Sequence, residues 1–185
     1  DKADVYEIVS GHRRYLAATR LEITEVPVVV LDITKEEADI ILVDSNLHRE
    51  HILPSEKAFA YKMKMDALKK QGKRTDLTSD PPGPKLSSAE TISQDSEDSA
   101  TQIKRYIRLT NLEKSILNLV DEGRIAMRPA VELSYLTEEE QHNLIETIES
   151  EDCTPSLSQA QRMHKLSEEK KLTMDAIFEI LQEQK

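Results

Sequence analysis

The sequence is poor in the residues on which several common kinds of site depend. It has no Trp, two Phe and five Tyr, so a hydrophobic core must be mainly aliphatic. Only four Gly occur among 185 residues, which disfavours Gly-rich phosphate loops, and the pattern G-x-x-x-x-G-K-[ST] is absent. Cys153 is the single cysteine, so no internal disulfide can form and a reducing compartment is expected. These shortages favour a helix-rich protein of one domain or two small ones.

Long apolar runs are missing as well. No stretch approaches the ~18 uninterrupted apolar residues of a membrane helix, and the first residues lack the basic-then-apolar pattern of an export signal. We therefore expect a cytoplasmic protein with no membrane partner. A strand-like segment follows Asp1 almost at once, so we also expect the N-terminal module to be truncated.

Charge is distributed unevenly along the chain. The formal net charge of -10 at first argues against binding to nucleic acid phosphates. Residues 57–74, however, contain seven basic residues and one acidic residue, and residues 99–130 contain six and three. Two basic segments therefore lie within an acidic chain. The first of them either borders a nucleic acid or is simply solvated.

The N-terminal pattern predicts a small α/β unit. Residues 5–9 alternate apolar and polar side chains, as a half-buried strand does. Apolar residues recur at helical spacing over 12–21, which predicts a short helix. Residues 26–31 predict a second strand, buried on both faces from Val28 onward. The expected fold class is therefore α+β, with an α/β module followed by an all-α module.

Capping patterns mark the helix starts that follow. Thr34 with Glu37 predicts one helix, Pro54 opens another that Gly72 would end, and 73–85 is the best linker candidate, with a Pro-rich insert at 79–84. Two closely spaced boxes, Ser87-x-x-Glu90 and Ser99-x-x-Gln102, predict two short helices and hence a helix-turn-helix. Further helices are predicted at 113–122, 129–136, 138–149, 158–166 and 173–183.

The second helix of this pair has the character of a DNA recognition helix. Ile103, Tyr106 and Ile107 form an apolar stripe at helical spacing, and the opposite side is polar and basic. An ordinary solvated helix face is the alternative, but the preceding helix at 87–94 favours DNA. Gln102 and Arg105 suit base edges, whereas Lys104 and Arg108 suit phosphates. The predicted DNA-binding residues are Ser99, Thr101, Gln102, Lys104, Arg105 and Arg108.

A second candidate site lies where the first strand hands over to a helix. Gly11 permits a close backbone approach, and the helix N-terminus that follows it offers unpaired N–H groups to an anion. Arg13 and Arg14 can add bidentate contacts. The residues alone are compatible either with a phosphate site or with a turn that carries solvated side chains.

Several motifs taken together resemble the ParB partition-protein family. The family shows a GERR-type motif, then a VPV strand, then an ENLQR-type motif leading into a helix. Here GHRR stands at 11–14, VPV at 26–28, NLHRE at 46–50 and LPSEKA at 53–58, in the same order and at fitting spacing. Residues 99–112 look like the second helix of the family's helix-turn-helix. Residues 120–133 resemble its EG turn and the helix that follows, so the resemblance extends over about 6–136.

The resemblance implies a nucleotide site as well as a DNA site. In the family the first motif wraps the triphosphate of CTP, and the second serves the nucleotide and its Mg²⁺. Carried over, Gly11, Arg13 and Arg14 would hold phosphates, with Asn46 and Arg49 completing the pocket and Asn46 near the metal. Ser45 stands where the family has Glu, which leaves at most weak CTP hydrolysis.

These patterns divide the chain into three parts. A ParB/sulfiredoxin-like nucleotide-binding module is expected at 1–54, a helical DNA-binding module at 55–136 with its helix-turn-helix at about 87–110, and a helical extension at 137–185. The expected function is sequence-specific binding to a centromere-like, palindromic double-stranded DNA site, gated by CTP. Resemblance also implies a partition ATPase of the ParA type, a homodimer and association with the bacterial nucleoid.

Two other functions stay open at this point. The first is a ParB-like transcriptional regulator without nucleotide turnover. The second is an ATP-dependent phosphotransferase on the sulfiredoxin-like fold, although the nucleophilic Cys of the related turn is replaced by Gly11.

Overall fold

The computed structural model describes residues 5–47, 51–75 and 87–183. In these ranges the chain is helical and contains no strand, and no helix there combines the length and apolar character needed to cross a membrane. The helices are α1 His12–Arg20, α2 Lys35–Leu47, α3 Pro54–Thr75, α4 Ser88–Gln94, α5 Ala100–Leu109, α6 Lys114–Asp121, α7 Met127–Leu133, α8 Glu138–Glu151, α9 Leu157–Glu168 and α10 Met174–Gln182.

The predicted α+β fold class is wrong for this structure. Residues 5–9 and 26–31 flank α1 without forming strands. Val28, Val29 and Val30, expected to be buried on both faces, are 73%, 85% and 61% exposed. Alternation and β-branching indicate only a preference for extended backbone, and a ladder also needs hydrogen-bonding partners from another segment. The described residues supply no such partner, so no α/β module is present among them.

The predicted capping boxes, in contrast, are confirmed. Ser87 and Ser99 each accept a hydrogen bond from the third helical N–H, and the Glu90 and Gln102 side chains accept one from the cap's own N–H. Thr34 and Glu37 make the same reciprocal pair at the start of α2. Each box satisfies two backbone N–H groups that the helix leaves unpaired. Thr137 with Glu140 and Ser156 with Gln159 repeat the device at α8 and α9.

Helices α3 and α7 differ most from their predicted bounds. Helix α3 runs through Gly72 to Thr75, because one glycine costs a helix only about 1 kcal/mol relative to Ala. Helix α7 starts at Met127, which places Pro129 in its first turn, where no helical N–H bond is lost. The Pro-rich insert at 79–84 lies outside the described residues.

The helices enclose two hydrophobic cores of unequal size. The main core is aliphatic, as the composition requires, and joins α6–α10 to the end of α5. The small core consists of Tyr61, Ile92 and Ile103, from α3, α4 and α5, with partly buried neighbours. Tyr106 packs against both cores. Helix α5 therefore connects the two cores, together with α3, which contributes Ala58 to the main core and Tyr61 to the small one.

Buried glutamines cross-link the main core at helix ends. Gln141 is 2% exposed; its Nε2 donates to the carbonyls of Asn111 and Leu136, and its Oε1 accepts from the Glu113 N–H. Gln159 donates to the Ile180 carbonyl in the same way. Each amide satisfies backbone groups that a helix end leaves without partners. These contacts fix the start of α6 relative to α8, and α9 relative to α10.

Helix α3 is held at several points along its length. Asp121, at the end of α6, accepts hydrogen bonds from the N–H and the hydroxyl of Ser55 and so caps the start of α3. Lys64, 6% exposed, pairs with Asp44 of α2 at 2.6 Å. Because a buried charge is costly without a partner, this pair fixes α2 on α3.

A polar network ties α3 to the turn between α4 and α5. The carboxylate of Asp98 accepts hydrogen bonds from the Tyr61 hydroxyl at 2.7 Å and from Lys57 Nζ at 2.9 Å. The Tyr61 hydroxyl also lies 2.9 Å from Ser96 Oγ, which accepts from the Asp98 N–H. Every member has a partner, as a buried network requires. The turn of the helix-turn-helix is thereby anchored on α3.

This environment shifts the pKa of two members in the same direction. Burial raises the pKa of Tyr61 well above its usual range, and the Asp98 carboxylate adds to the shift because it would repel a tyrosinate. Burial alone would lower the pKa of Lys57, but the hydrogen bond and the charge of Asp98 outweigh it and raise that pKa. Both groups therefore keep their protons to higher pH in the folded state.

The network predicts a specific alkaline weakness. The contribution of Tyr61 is complete below the unfolded-state pKa of about 10 and is lost as pH rises, at about 1.4 kcal/mol per pH unit, because the unfolded chain ionises first. Tyr61→Phe should cost about 1–2 kcal/mol of unfolding free energy near neutral pH. Its deficit relative to wild type should shrink above pH 10 in urea unfolding. Tyr15→Phe, at an exposed tyrosine outside the network, is the control variant, and parallel profiles for wild type and Tyr61→Phe would contradict the network.

Candidate nucleic-acid interface

Helices α4 and α5 form the predicted helix-turn-helix. The turn between them contains the buried Asp98, and α5 begins directly after the Ser99 cap. Ile103 and Leu109 are fully buried, so α5 lies on the protein by one side only. Because one side of α5 is buried and the turn before it is held in place, the helix presents one defined set of residues to solvent. This is the geometry that a recognition helix needs.

The outward side of α5 carries most of the predicted DNA-binding residues. Helix α5 has no acidic residue in its sequence ATQIKRYIRL, so its exposed side is locally cationic despite the acidic chain. Such a surface can contact both base edges and phosphates. The predicted residues that are exposed here are Ser99, Thr101, Gln102, Lys104 and Arg105.

Two of these five residues, Ser99 and Gln102, already form the capping box at the start of α5. The Gln102 Oε1 accepts hydrogen bonds from the N–H of Ser99 at 3.0 Å and from its hydroxyl at 2.9 Å. Bidentate reading of adenine needs both the oxygen and the amide nitrogen of a glutamine. Gln102 therefore cannot make that contact while the capping box is intact. Arg105, exposed and in no ion pair within the described ranges, is the stronger base-reading candidate.

Arg108 differs from the rest of the set because it is half-buried. Its Nε donates to Ser134 Oγ and its Nη2 to the Ser134 carbonyl, both at 3.1 Å. Its guanidinium carbon lies 3.8 Å from the centroid of the Tyr135 ring. The predicted role of Arg108 in binding phosphate stays a prediction, and the structure gives this side chain protein partners.

A groove at the starts of α7 and α9 adds cations that the DNA-binding set does not include. It has a volume of about 500 Å³ and is lined by Arg124 and Arg128 among others. Arg124 pairs with Asp152 at 3.1 Å, whereas Arg128 is exposed without an ion pair in the part of the chain that the structure describes. The EG turn at 122–123 is the signal that could have drawn attention to these two arginines.

The predicted phosphate-binding turn is formed at the start of α1. Gly11 is the N-cap at φ 93°, a left-handed conformation that favours glycine, and no side chain caps the helix. An added Cβ there would lie 3.3 Å from Arg14 Nη2. Arg13 and Arg14 are exposed in the first turn, which contains no acidic residue. The turn thus brings three of the five predicted nucleotide-binding residues together.

The second half of the predicted nucleotide site is only partly described. Asn46 is half-buried in the last turn of α2, and Arg49 lies outside the described residues. Helix α1 has no extensive interface with α2 in the described ranges. Ser45 donates its hydroxyl to the Leu42 carbonyl at 2.8 Å, and Asp44 is engaged by Lys64. Neither is directed at a metal by these contacts, so Asn46 is the one predicted Mg²⁺ ligand here.

Comparison with known proteins gives matches along most of the chain. Residues 1–47 match the ParB N-terminal domain, and residues 86–163 match the ParB HTH domain. A probable chromosome-partitioning protein ParB of Borreliella burgdorferi is 30% identical over 142 residues, 76% of this chain and 48% of that protein. A nucleoid occlusion protein of Listeria innocua is 31% identical over 147 residues, 79% of this chain and 46% of that protein.

A third relative also matches most of this chain over less than half of its own length. A probable chromosome 1-partitioning protein ParB of Deinococcus radiodurans is 29% identical over 126 residues, 68% of this chain and 37% of that protein. The chain thus spans about half the length or less of these curated relatives. The two domain matches follow each other in the order that the motifs predicted, and α4 and α5 lie inside the second. By these matches the chain belongs to the ParB-like family of partition proteins.

Proposed function

We propose that the chain recognises a centromere-like, palindromic site in double-stranded DNA through the outward side of α5. The observation that carries this proposal is the division of α5 into a fully buried back, with Ile103, and an exposed front, with Lys104 and Arg105. Arg105 would read a base edge and Lys104 would contact phosphate. The names of the relatives, chromosome partitioning and nucleoid occlusion, are consistent with such a role.

Local charge makes this role compatible with an acidic protein. DNA is bound by the cations that reach its phosphates, not by the mean charge of the chain. Helix α5 contributes Lys104 and Arg105, whereas α8 begins with three consecutive Glu at 138–140. The footprint is therefore expected to be confined to the neighbourhood of α5 and to weaken steeply with salt.

We further propose that CTP gates DNA binding from the start of α1. The donor set there fits phosphate, because Gly11 leaves the first helical N–H groups open and Arg13 and Arg14 add two guanidinium groups. Asn46 and Arg49 would complete the pocket, as the family resemblance implies. Mg²⁺ would neutralise phosphate charge there, and Asn46 would be its protein ligand, in addition to the phosphates of the nucleotide.

The same resemblance supplies the remaining parts of the proposal. We expect a homodimer to match a palindromic site, since a two-fold DNA site is read by a two-fold protein. A partition ATPase of the ParA type is the expected protein partner, at the nucleoid. A ParB-like transcriptional regulator without nucleotide turnover is the second candidate, and the serine at 45 in place of the family's Glu favours it.

The DNA proposal predicts unequal effects on specific and non-specific binding. A duplex is first selected by the wild-type chain from a randomised library. Arg105→Ala should then lower affinity for that duplex roughly 10- to 100-fold and change affinity for unrelated duplexes little. Lys104→Ala should weaken both and reduce the salt dependence by about one counterion. The exposed Lys114 of α6 provides the control variant Lys114→Ala. Equal loss on all duplexes for Arg105→Ala would exclude base reading.

The nucleotide proposal predicts that a substitution at the N-terminal end of α1 weakens CTP binding and that one at its C-terminal end does not. The full-length protein should bind CTP, with Mg²⁺ and the selected duplex present, more tightly than millimolar. Arg14→Ala should weaken that binding roughly tenfold or more, because a hydrogen bond to a charged phosphate is lost. Arg20→Ala, at the opposite end of the same helix, should bind as wild type does. Calorimetric titration with CTP and the other nucleotides measures this, and no binding better than millimolar would end the proposal.

A further inference from the structure

The C-terminal end of α5 contacts the end of α7 and helix α9 through a stack of three side chains. The Arg108 guanidinium lies 3.8 Å from the Tyr135 ring centroid, and that ring stacks on His164 at 4.3 Å between centroids with 11° between planes. His164 Nδ1 lies 2.7 Å from a Glu132 carboxylate oxygen, and its Nε2 lies 3.6 Å from Glu168. The stack, here called the arginine column, runs from α5 to α9.

Ser134 holds the Arg108 guanidinium beside the Tyr135 ring. It is 3% exposed and is the C-cap of α7. Its hydroxyl donates to the Val131 carbonyl at 2.6 Å and accepts from Arg108 Nε, and its carbonyl accepts from Arg108 Nη2. A cation at the C-terminal end of a helix is also favoured by the carbonyls exposed there. Arg108 therefore has two hydrogen bonds, an aromatic face and a favourable helix end, all within the protein.

The arginine column lies next to the outward residues of α5. Arg108 lies three residues after Arg105 and four after Lys104, so the three side chains are neighbours on the helix surface. The contacts of Arg108 with Ser134 and Tyr135 add to the buried Ile103 and Leu109 in restraining the rotation of α5 about its own axis. The other end of α5 is set independently by the Ser99 capping box and by Asp98. Helix α5 is thus clamped at both ends.

We propose that Arg108 is a positioning residue for DNA recognition, held by Tyr135 and Ser134 and oriented through His164, and that it is not a phosphate ligand. Two of its five N–H groups and one face of its guanidinium are already engaged by Ser134 and the Tyr135 ring. Its effect on DNA passes through Arg105 and Lys104. The inference rests on the proposed DNA-binding function.

Tyr135 allows the arginine column to be tested without altering a cation. Its ring is 47% exposed, and within the described ranges its hydroxyl makes no hydrogen bond. Tyr135→Leu removes the stacking ring, whereas Tyr135→Phe keeps it. In the full chain, Tyr135→Leu should lower affinity for the selected duplex about tenfold, change affinity for unrelated duplexes less than about twofold and leave the salt dependence unchanged. Tyr135→Phe should match wild type.

Ser134→Ala and Arg108→Ala keep the inference testable if Tyr135→Leu does not fold. They also test whether Arg108 binds phosphate instead. Ser134→Ala removes the Oγ partner of Arg108 and should shift selectivity in the same direction as Tyr135→Leu. Arg108→Ala should likewise act on the selected duplex alone. If Arg108→Ala instead weakens all duplexes equally and lowers the salt dependence by about one counterion, Arg108 binds phosphate and the inference is overturned. Wild-type selectivity in Tyr135→Leu overturns it as well.

Amide hydrogen exchange separates this inference from the proposed function. In Tyr135→Leu without DNA, amides in the second half of α5 should exchange about tenfold faster than in wild type, whereas Tyr135→Phe and the amides of α8 should be unchanged. If no duplex is ever selected, the DNA proposal fails, and the exchange rates still decide whether the arginine column positions α5. Unchanged exchange in Tyr135→Leu refutes the positioning role.

Discussion

The structure depends on the burial of one side of helix α5 between two hydrophobic cores. Ile103 belongs to the small core, Leu109 to the main core, and Tyr106 contacts both. Lys57 adds a cation over the Tyr106 ring at 5.3 Å, and Tyr61 packs against it at 5.8 Å between centroids. Because large side chains from both cores meet on this short helix, α5 cannot rotate without disturbing both. The side of α5 turned to solvent is therefore fixed.

Polar contacts at both ends of α5 add to the restraint that burial of one side provides. The turn before α5 would be free to move if Asp98 were solvated, but Tyr61 and Lys57 hold it on α3. After α5, the Arg108 guanidinium reaches Ser134 and Tyr135 at the end of α7. Both anchors use charge-assisted hydrogen bonds in partly buried surroundings, where such bonds are stronger than in water. Within the described ranges, the N-terminal helix α1 has no such anchors, and one of its residues, Ala18, is buried.

Sequence reasoning succeeded where local chemistry decides the structure. The boxes at Ser87 and Ser99 were predicted because a cap and its partner lie three residues apart and need no other segment. It failed at 5–9 and 26–31, because a strand also needs a partner that local pattern does not supply. Of the candidate site, the exposed front of α5 agreed with the pattern. The engagement of Gln102 in the cap followed from the predicted box, whereas the contact of Arg108 with Ser134 did not follow from the local pattern, and the domain boundaries stay predictions.

The two arginines of α5 show most clearly which features follow from the local sequence and which depend on the packing of helices. Helical spacing alone puts Arg105 and Arg108 on the polar side of an amphipathic helix, and the order of residues is enough to predict that this side is basic and that the helix is capped by Ser99. That Arg105 faces solvent while Arg108 lies against Tyr135, twenty-seven residues further along the chain, depends on the packing of the helices. Periodicity fixes the direction of a side chain around its own helix. What it meets in that direction depends on which other helix packs there, and that is set by long-range burial in the two cores.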